Sequence, residues 1–113
     1  MFQLSLFVKC QNKDEALEIL QELINKINTH ITSYNLVSNE PYWKIDDWFE
    51  ITCNIETSNV LDIEKAESIL EKISNKWSWN KGRFTARSTA NNADTVFYND
   101  KVQFFTCWFE DLD

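Results

Sequence analysis

The chain opens on a strict alternation of apolar and polar positions. In Phe2–Lys9, Phe2, Leu4, Leu6 and Val8 fall on one side, and Gln3, Ser5, Phe7 and Lys9 fall on the other. A period of two with one apolar side predicts a half-buried strand. The period then changes. Between Asp14 and Asn28, the residues Ala16, Leu20, Leu23 and Ile27 recur at helical spacing, flanked by Leu17, Ile19 and Ile24. That stripe predicts an amphipathic helix. Asn12 stands at the N-cap position with Glu15 three residues on, and Lys26 near the far end suits the helix dipole. Thr32–Val37 predicts a second strand, ended by Ser38-Asn39-Glu40-Pro41.

The same grammar then returns. Asp47–Thr57 predicts a third strand, with Phe49, Ile51, Cys53 and Ile55 facing in and Trp48, Glu50, Thr52, Asn54 and Glu56 facing out. Val60–Lys76 predicts a second helix, capped by Asn59, with Ala66, Ile69, Leu70 and Ile73 as its stripe and Trp77 extending it. Gly82, the single glycine, closes the turn Ser78–Gly82 and is expected to stop a helix or take a positive φ. Arg83–Thr89 predicts a strand and Ala90–Asp94 a loop. Thr95–Tyr98, the turn residues Asn99-Asp100 and Val102–Phe109 then predict a hairpin. The doubled strand–helix–strand unit implies an α+β fold: a ferredoxin-like βαββαβ sandwich with two helices on one face of an antiparallel sheet, plus an extra C-terminal hairpin. Either Arg83–Thr89 or Val102–Phe109 is the fourth strand of that sheet. Residues 1–113 read as one α+β domain, of a length that supports a core.

Charge narrows the partners. The chain holds 11 Lys and Arg against 18 Asp and Glu, a net charge of −7. Phosphate binding runs on Lys and Arg, so neither nucleic acid nor an anionic membrane is the expected partner. A basic protein is. The N-terminal MFQLSLFVKC runs straight into a strand, without a basic leader or a long apolar stretch, so no signal peptide and no membrane span are expected. Cys10, Cys53 and Cys107 are odd in number and lack CxxC spacing. They read as small apolar residues in a reducing, cytoplasmic setting.

No motif carries chemistry. The one histidine, His30, falls at the end of the first predicted helix, where it complements the dipole rather than activating a nucleophile. One glycine cannot build a phosphate-cradling loop. The acids Asp46, Asp47 and Glu50, and the second group Glu110, Asp111 and Asp113, match no calcium-loop pattern and read first as solvated element ends. No catalytic residue, metal or cofactor is therefore expected.

Two segments interleave acids with aromatic residues. One runs from Glu40 to Glu50 and contains Tyr42, Trp43, Asp46, Asp47 and Trp48; the other runs from Val102 to Asp111 and contains Phe104, Phe105, Trp108, Phe109 and Glu110. If Phe49 and Ile51 face the helices, Trp48 lies on the opposite side of the sheet. The last strand is apolar on both sides, so its second side needs a cover. Three covers are possible: the chain's own hairpin with the Trp77-Ser78-Trp79 loop, a second copy, or a different partner. For a partner, the expected contact residues are Tyr42, Trp43, Asp46, Asp47, Trp48, Glu50, Trp79, Trp108, Glu110 and Asp111, with tryptophan and tyrosine as anchors and rim acids steering. A homodimer is left open.

In its size, acidity, lack of a catalytic kit and the segments Tyr42–Glu50 and Phe104–Asp111, the chain resembles the small acidic immunity proteins of bacterial contact-dependent and other polymorphic toxin systems. The resemblance implies an inhibitor that blocks the active site or substrate surface of a cognate, basic toxin domain, many such toxins being nucleases. The alternative is a small dimeric ferredoxin-like enzyme or ligand sensor with an aromatic pocket on the open sheet face.

Overall fold

A computed structural model describes residues 1–28, 31–57, 61–80, 82, 84–91 and 94–110. Eight elements follow one another: β1 (Phe2–Lys9), α1 (Lys13–Ile27), β2 (Ile31–Pro41), β3 (Trp48–Thr57), α2 (Ile63–Glu71), β4 (Ser78–Asn80), β5 (Thr85–Thr89) and β6 (Val102–Phe109). All six strands share one antiparallel sheet in the order β2-β3-β1-β6-β5-β4. The fold is thus α+β, but its sheet is wider than a four-stranded βαββαβ arrangement. The strand β1 lies inside the sheet, with Leu4 opposite Cys53 on one side and Cys107 on the other.

That register puts every inward residue of β1, β3 and β6 on one face. Phe2, Leu4, Leu6, Ile51, Cys53, Ile55, Phe105 and Phe109 join Ala16, Leu20, Leu23 and Ile27 of α1 and Ala66, Ile69 and Leu70 of α2 in a single buried cluster. Both helices therefore pack on the same side of the sheet. α1 begins as the sequence implies: the Asn12 side chain accepts from the Glu15 N–H at 2.9 Å, and the Glu15 carboxylate accepts from the Gln11 N–H at 3.1 Å. The first bond satisfies an amide that the first helical turn leaves without a partner, and the second ties the residue before the cap to that turn.

Several elements differ from expectation. β2 runs on through Ser38, Asn39 and Glu40 to Pro41. It is an edge strand, and an edge tolerates proline because one row of its backbone groups needs no partner. α2 is shorter than Val60–Lys76 and is capped by Asp62, whose side chain accepts from the Lys65 N–H at 2.7 Å; the expected cap Asn59 lies outside the described residues, as does His30. Past Glu71 the chain tightens into a closing turn: the Lys72 and Ile73 N–H groups donate to the Ile69 and Leu70 carbonyls at 3.2 and 2.9 Å, and the Trp77 indole N–H donates back to the Leu70 and Ser74 carbonyls at 2.9 and 3.1 Å. Gly82 does not take a positive φ; Asp47 and Phe84 do, at 65° and 55°.

The expected hairpin at Thr95–Phe109 is absent. Thr85–Thr89 pairs with Val102–Phe109 instead, and Ser78–Asn80 extends that edge. The connection between β5 and β6 crosses to the helical side: Phe97 bridges Ser74, and the Tyr98 hydroxyl donates to the Ile19 carbonyl at 2.8 Å. A buried hydroxyl pair, Ser74 and Ser88 at 2.7 Å, holds the same corner. No helix among the described residues is long and apolar enough to cross a membrane.

Candidate aromatic surface on the open sheet face

Among the described residues, none forms a layer over the face of the sheet away from the helices. Its residues stand in rows set by the register. The central rows are small and polar: Gln3 donates to Asn54 at 2.9 Å, and the Ser5 and Thr52 hydroxyls share a hydrogen bond at 3.1 Å. The next row is aromatic. Phe7 lies between Glu50 of β3 and Phe104 of β6, with Thr89 of β5 beyond Phe104. One further step places Trp48 opposite Lys9.

The turn between β2 and β3 adds to this end. Tyr42 donates its N–H to the Trp48 carbonyl at 2.8 Å, so the two rings stack, 6.4 Å apart and 22° from parallel. The Tyr42 ring also lies 4.8 Å from Phe7, and Phe7 lies 5.6 Å from Phe104. Such separations fall within the range where aromatic pairs attract beyond simple area burial. The turn is held from below: the Asp47 carbonyl accepts from the Cys10 N–H at 2.9 Å, and aspartate is among the residues that adopt a left-handed φ most readily. At its tip Trp43 is 83% exposed, with the Lys44 ammonium 5.0 Å over its ring.

The rings enclose a hollow of about 380 Å³. Phe7, Tyr42, Ile45, Trp48 and Phe104 form its apolar wall, and Thr89, Asn91 and Gln103 its polar rim. A second hollow, of about 610 Å³, adjoins it across Thr89 and Phe104 and reaches Arg87 and Trp77. Asp46, Asp47 and Glu50 stand beside the rings, and their carboxylates make no hydrogen bond or ion pair with other described residues. Glu40, next to Glu50 in the ladder, turns to Lys13 of α1, 3.4 Å away. That pairing relieves the like-charge clash of two glutamates directly opposite on neighbouring strands.

Of the residues expected to contact a partner, Tyr42, Trp43, Asp46, Asp47, Trp48 and Glu50 come together at this one end of the open face. The others do not join them. Trp79 sits on the helical side, stacked on Phe109 at 5.8 Å, because its ladder neighbour Ala86 faces the core. Trp108 is on the open face and 44% exposed, but it lies beside Gln3, four residues along β6 from Phe104, or about 13 Å at the usual strand rise of about 3.3 Å. Glu110 is exposed just past β6, and Asp111 lies outside the described residues. Phe7, Phe104 and Ile45 complete the site unforeseen. Phe7 carried a signal, since it is the one aromatic among the polar positions of the first strand.

The chemistry of the three thiols is quiet. Burial pushes the Cys53 thiol up to about 11 and that of Cys107 higher still; burial also raises Cys10, helped by the nearby Glu15 carboxylate. A thiol held protonated is a poor nucleophile and a poor metal ligand. Among the described residues no group of three or more His, Cys, Asp or Glu is placed to hold a metal ion. Comparison of the chain with protein-family models, curated proteins and solved structures finds no match.

Proposed function

We propose that this chain is a protein-binding module that docks a basic partner on the open sheet face, and that it acts as an immunity protein neutralising a cognate toxin domain. The observation that carries the reading is the aromatic end of the open face, with Phe7, Tyr42, Trp48 and Phe104 around a hollow and, beside it, the carboxylates of Asp46, Asp47 and Glu50, which pair with no other described residue. Phe97 and Tyr98 of the β5–β6 connection pack on the helical side, and the described residues leave this face open. Rings of this kind anchor interfaces, and they attract the guanidinium or ammonium of an inserted Arg or Lys. Acids beside them raise the rate at which a basic surface arrives. In this reading the neighbours β2-β3-β1-β6 and the two helices form a ferredoxin-like unit, widened at one edge by β5 and β4.

Affinity capture from the native host, followed by binding kinetics across a salt series, tests the proposal. Association slows as salt rises, and Asp46→Lys with Asp47→Lys slows it much further than the modest fall in urea midpoint that a lysine at the left-handed φ of Asp47 brings. Binding indifferent to salt and to Trp48→Ala, or no retained protein, overturns it. The hollow also supports a second reading, a small-ligand site, because about 380 Å³ lies within the volume range of such pockets. A thermal shift with planar aromatic compounds, abolished by Phe104→Ala, favours that reading over the first.

A further inference from the structure

The two edges of the sheet are unequal. β4 closes one edge with three residues, whereas β2 leaves the other open along eleven. A short edge strand offers little template for pairing; a long one presents a full row of unpaired N–H and C=O groups. Proteins usually blunt such edges with charge, yet Ile31–Asn39 contains no charged residue. The strip beside the edge is apolar. Tyr34, Leu36 and Val37 of β2 are exposed. So is Leu17 of α1, between Lys13 and Gln21, which are bonded to Glu40 and Tyr34 respectively. These four make up half of the eight large hydrophobic residues exposed among the described positions.

We infer that β2 pairs with β2 of a second copy, antiparallel about a two-fold axis, joining two six-stranded sheets into one. Self-pairing suits this strand for two reasons. The register centred on Asn35 sets Tyr34 opposite the partner's Leu36 and Leu36 opposite the partner's Tyr34, and aromatic–aliphatic pairs across strands are favourable. The ladder irregularities with β3 fall between Ile31 and Ser33 and between Leu36 and Ser38, so the regular stretch Ser33–Leu36 is centred near the same point. The second reason is electrostatic. Two copies of a chain of net charge −7 repel least where local charge is sparse, and Ile31–Asn39 carries none. A basic partner gains no steering there. The inference does not depend on the open-face reading, since the aromatic hollow lies on a sheet face and not on this edge.

Sedimentation velocity on the whole chain, from about 1 to 100 µM, tests it; that span covers dissociation free energies of about 5.5 to 8 kcal/mol. A closed dimer is expected. Leu36→Lys and Leu17→Lys each raise its dissociation constant about tenfold or more, whereas Val96→Lys, at an exposed site away from the edge, leaves it unchanged. Far-UV circular dichroism and urea midpoints confirm that each variant folds. Hydrogen exchange supplies a second readout: the alternate amides of Ser33–Leu36 that face away from β3 gain protection with concentration in the wild type and not in Leu36→Lys. A monomer at 100 µM overturns the inference. So does a dimer indifferent to both lysines, or an open-ended polymer.

Discussion

Removing the Phe7 ring asks whether the aromatic end is a surface or a second core. Phe7 is half-buried and touches two rings, Tyr42 at 4.8 Å and Phe104 at 5.6 Å. Each contact contributes about 0.5 kcal/mol at the low end expected for rings that stay wet. The half-covered side chain adds about 1 kcal/mol of transfer free energy. Phe7→Ala therefore costs about 2 kcal/mol, or about 8 °C in melting temperature for a chain of this size. Phe105, fully buried and edge-on to Trp77, provides the comparison. Its replacement by alanine leaves a cavity and costs about 4 kcal/mol. Urea unfolding, followed by tryptophan fluorescence and circular dichroism, measures both. A cycle with Tyr42→Ala isolates the pair and gives a coupling of about 0.5 kcal/mol. Equal losses at Phe7 and Phe105 would show that the open face is packed like an interior, and the surface reading would fall. A vanishing coupling would show that the rings do not meet.

Asn12→Ala removes the N-cap bond to Glu15 and lowers stability by about 1 kcal/mol, read from the urea midpoint. With a disulfide reagent at pH 8, Cys10 reacts first, since it borders the surface hollow near Lys9 and Lys101, while Cys53 and Cys107 react only as fast as the chain unfolds. Reaction of all three at one rate would refute this. Glu15 accepts a hydrogen bond from the Lys101 ammonium, and that bond first, then the Gln11 N–H, holds its carboxyl below the ordinary 4.5. A lowered native value contributes stability that is present above the unfolded value and lost as pH falls through the native one. The gap between wild type and Lys101→Gln is thus steady near neutrality and closes below about pH 4.5; a gap unchanged down to pH 2 refutes the pairing.

The sequence was most legible where one period held along a whole element. The alternation in β1 and β3 and the stripe in α1 fixed which residues face the helices, and Asn12 marked the start of α1 to the residue. Legibility failed where tertiary contacts overrode local preference. The run Ser38–Pro41 looks like a break, yet pairing with β3 carries the strand through it. The second helix reads as continuous to Lys76, but past Glu71 it tightens into a closing turn to which the Trp77 indole bonds back. Val102–Phe109 is apolar on both sides, so periodicity could not say which set faces in; the register with β1 decides for Phe105 and Phe109. The same ambiguity left Phe104 without an assigned face, and four residues of β6 set Trp108 apart from the other rings. Trp79 was misplaced because the short strand β4 gives no alternation to read.

The place of β1 inside the sheet has a consequence for how the chain reaches its fold. Phe2 pairs with Ile55 on one side and with Phe109 on the other. During synthesis, β1, α1, β2 and β3 can assemble once residues up to Thr57 have left the ribosome. The second edge of β1 then stays bare, with Phe2, Leu4 and Leu6 half-roofed, until β6 emerges. Pairing strands so far apart in sequence is non-local, and non-local pairings form more slowly than local ones. Over that interval the nascent chain carries an uncovered central strand, and a competing strand from any neighbour can occupy the slot that β6 fills in the finished sheet.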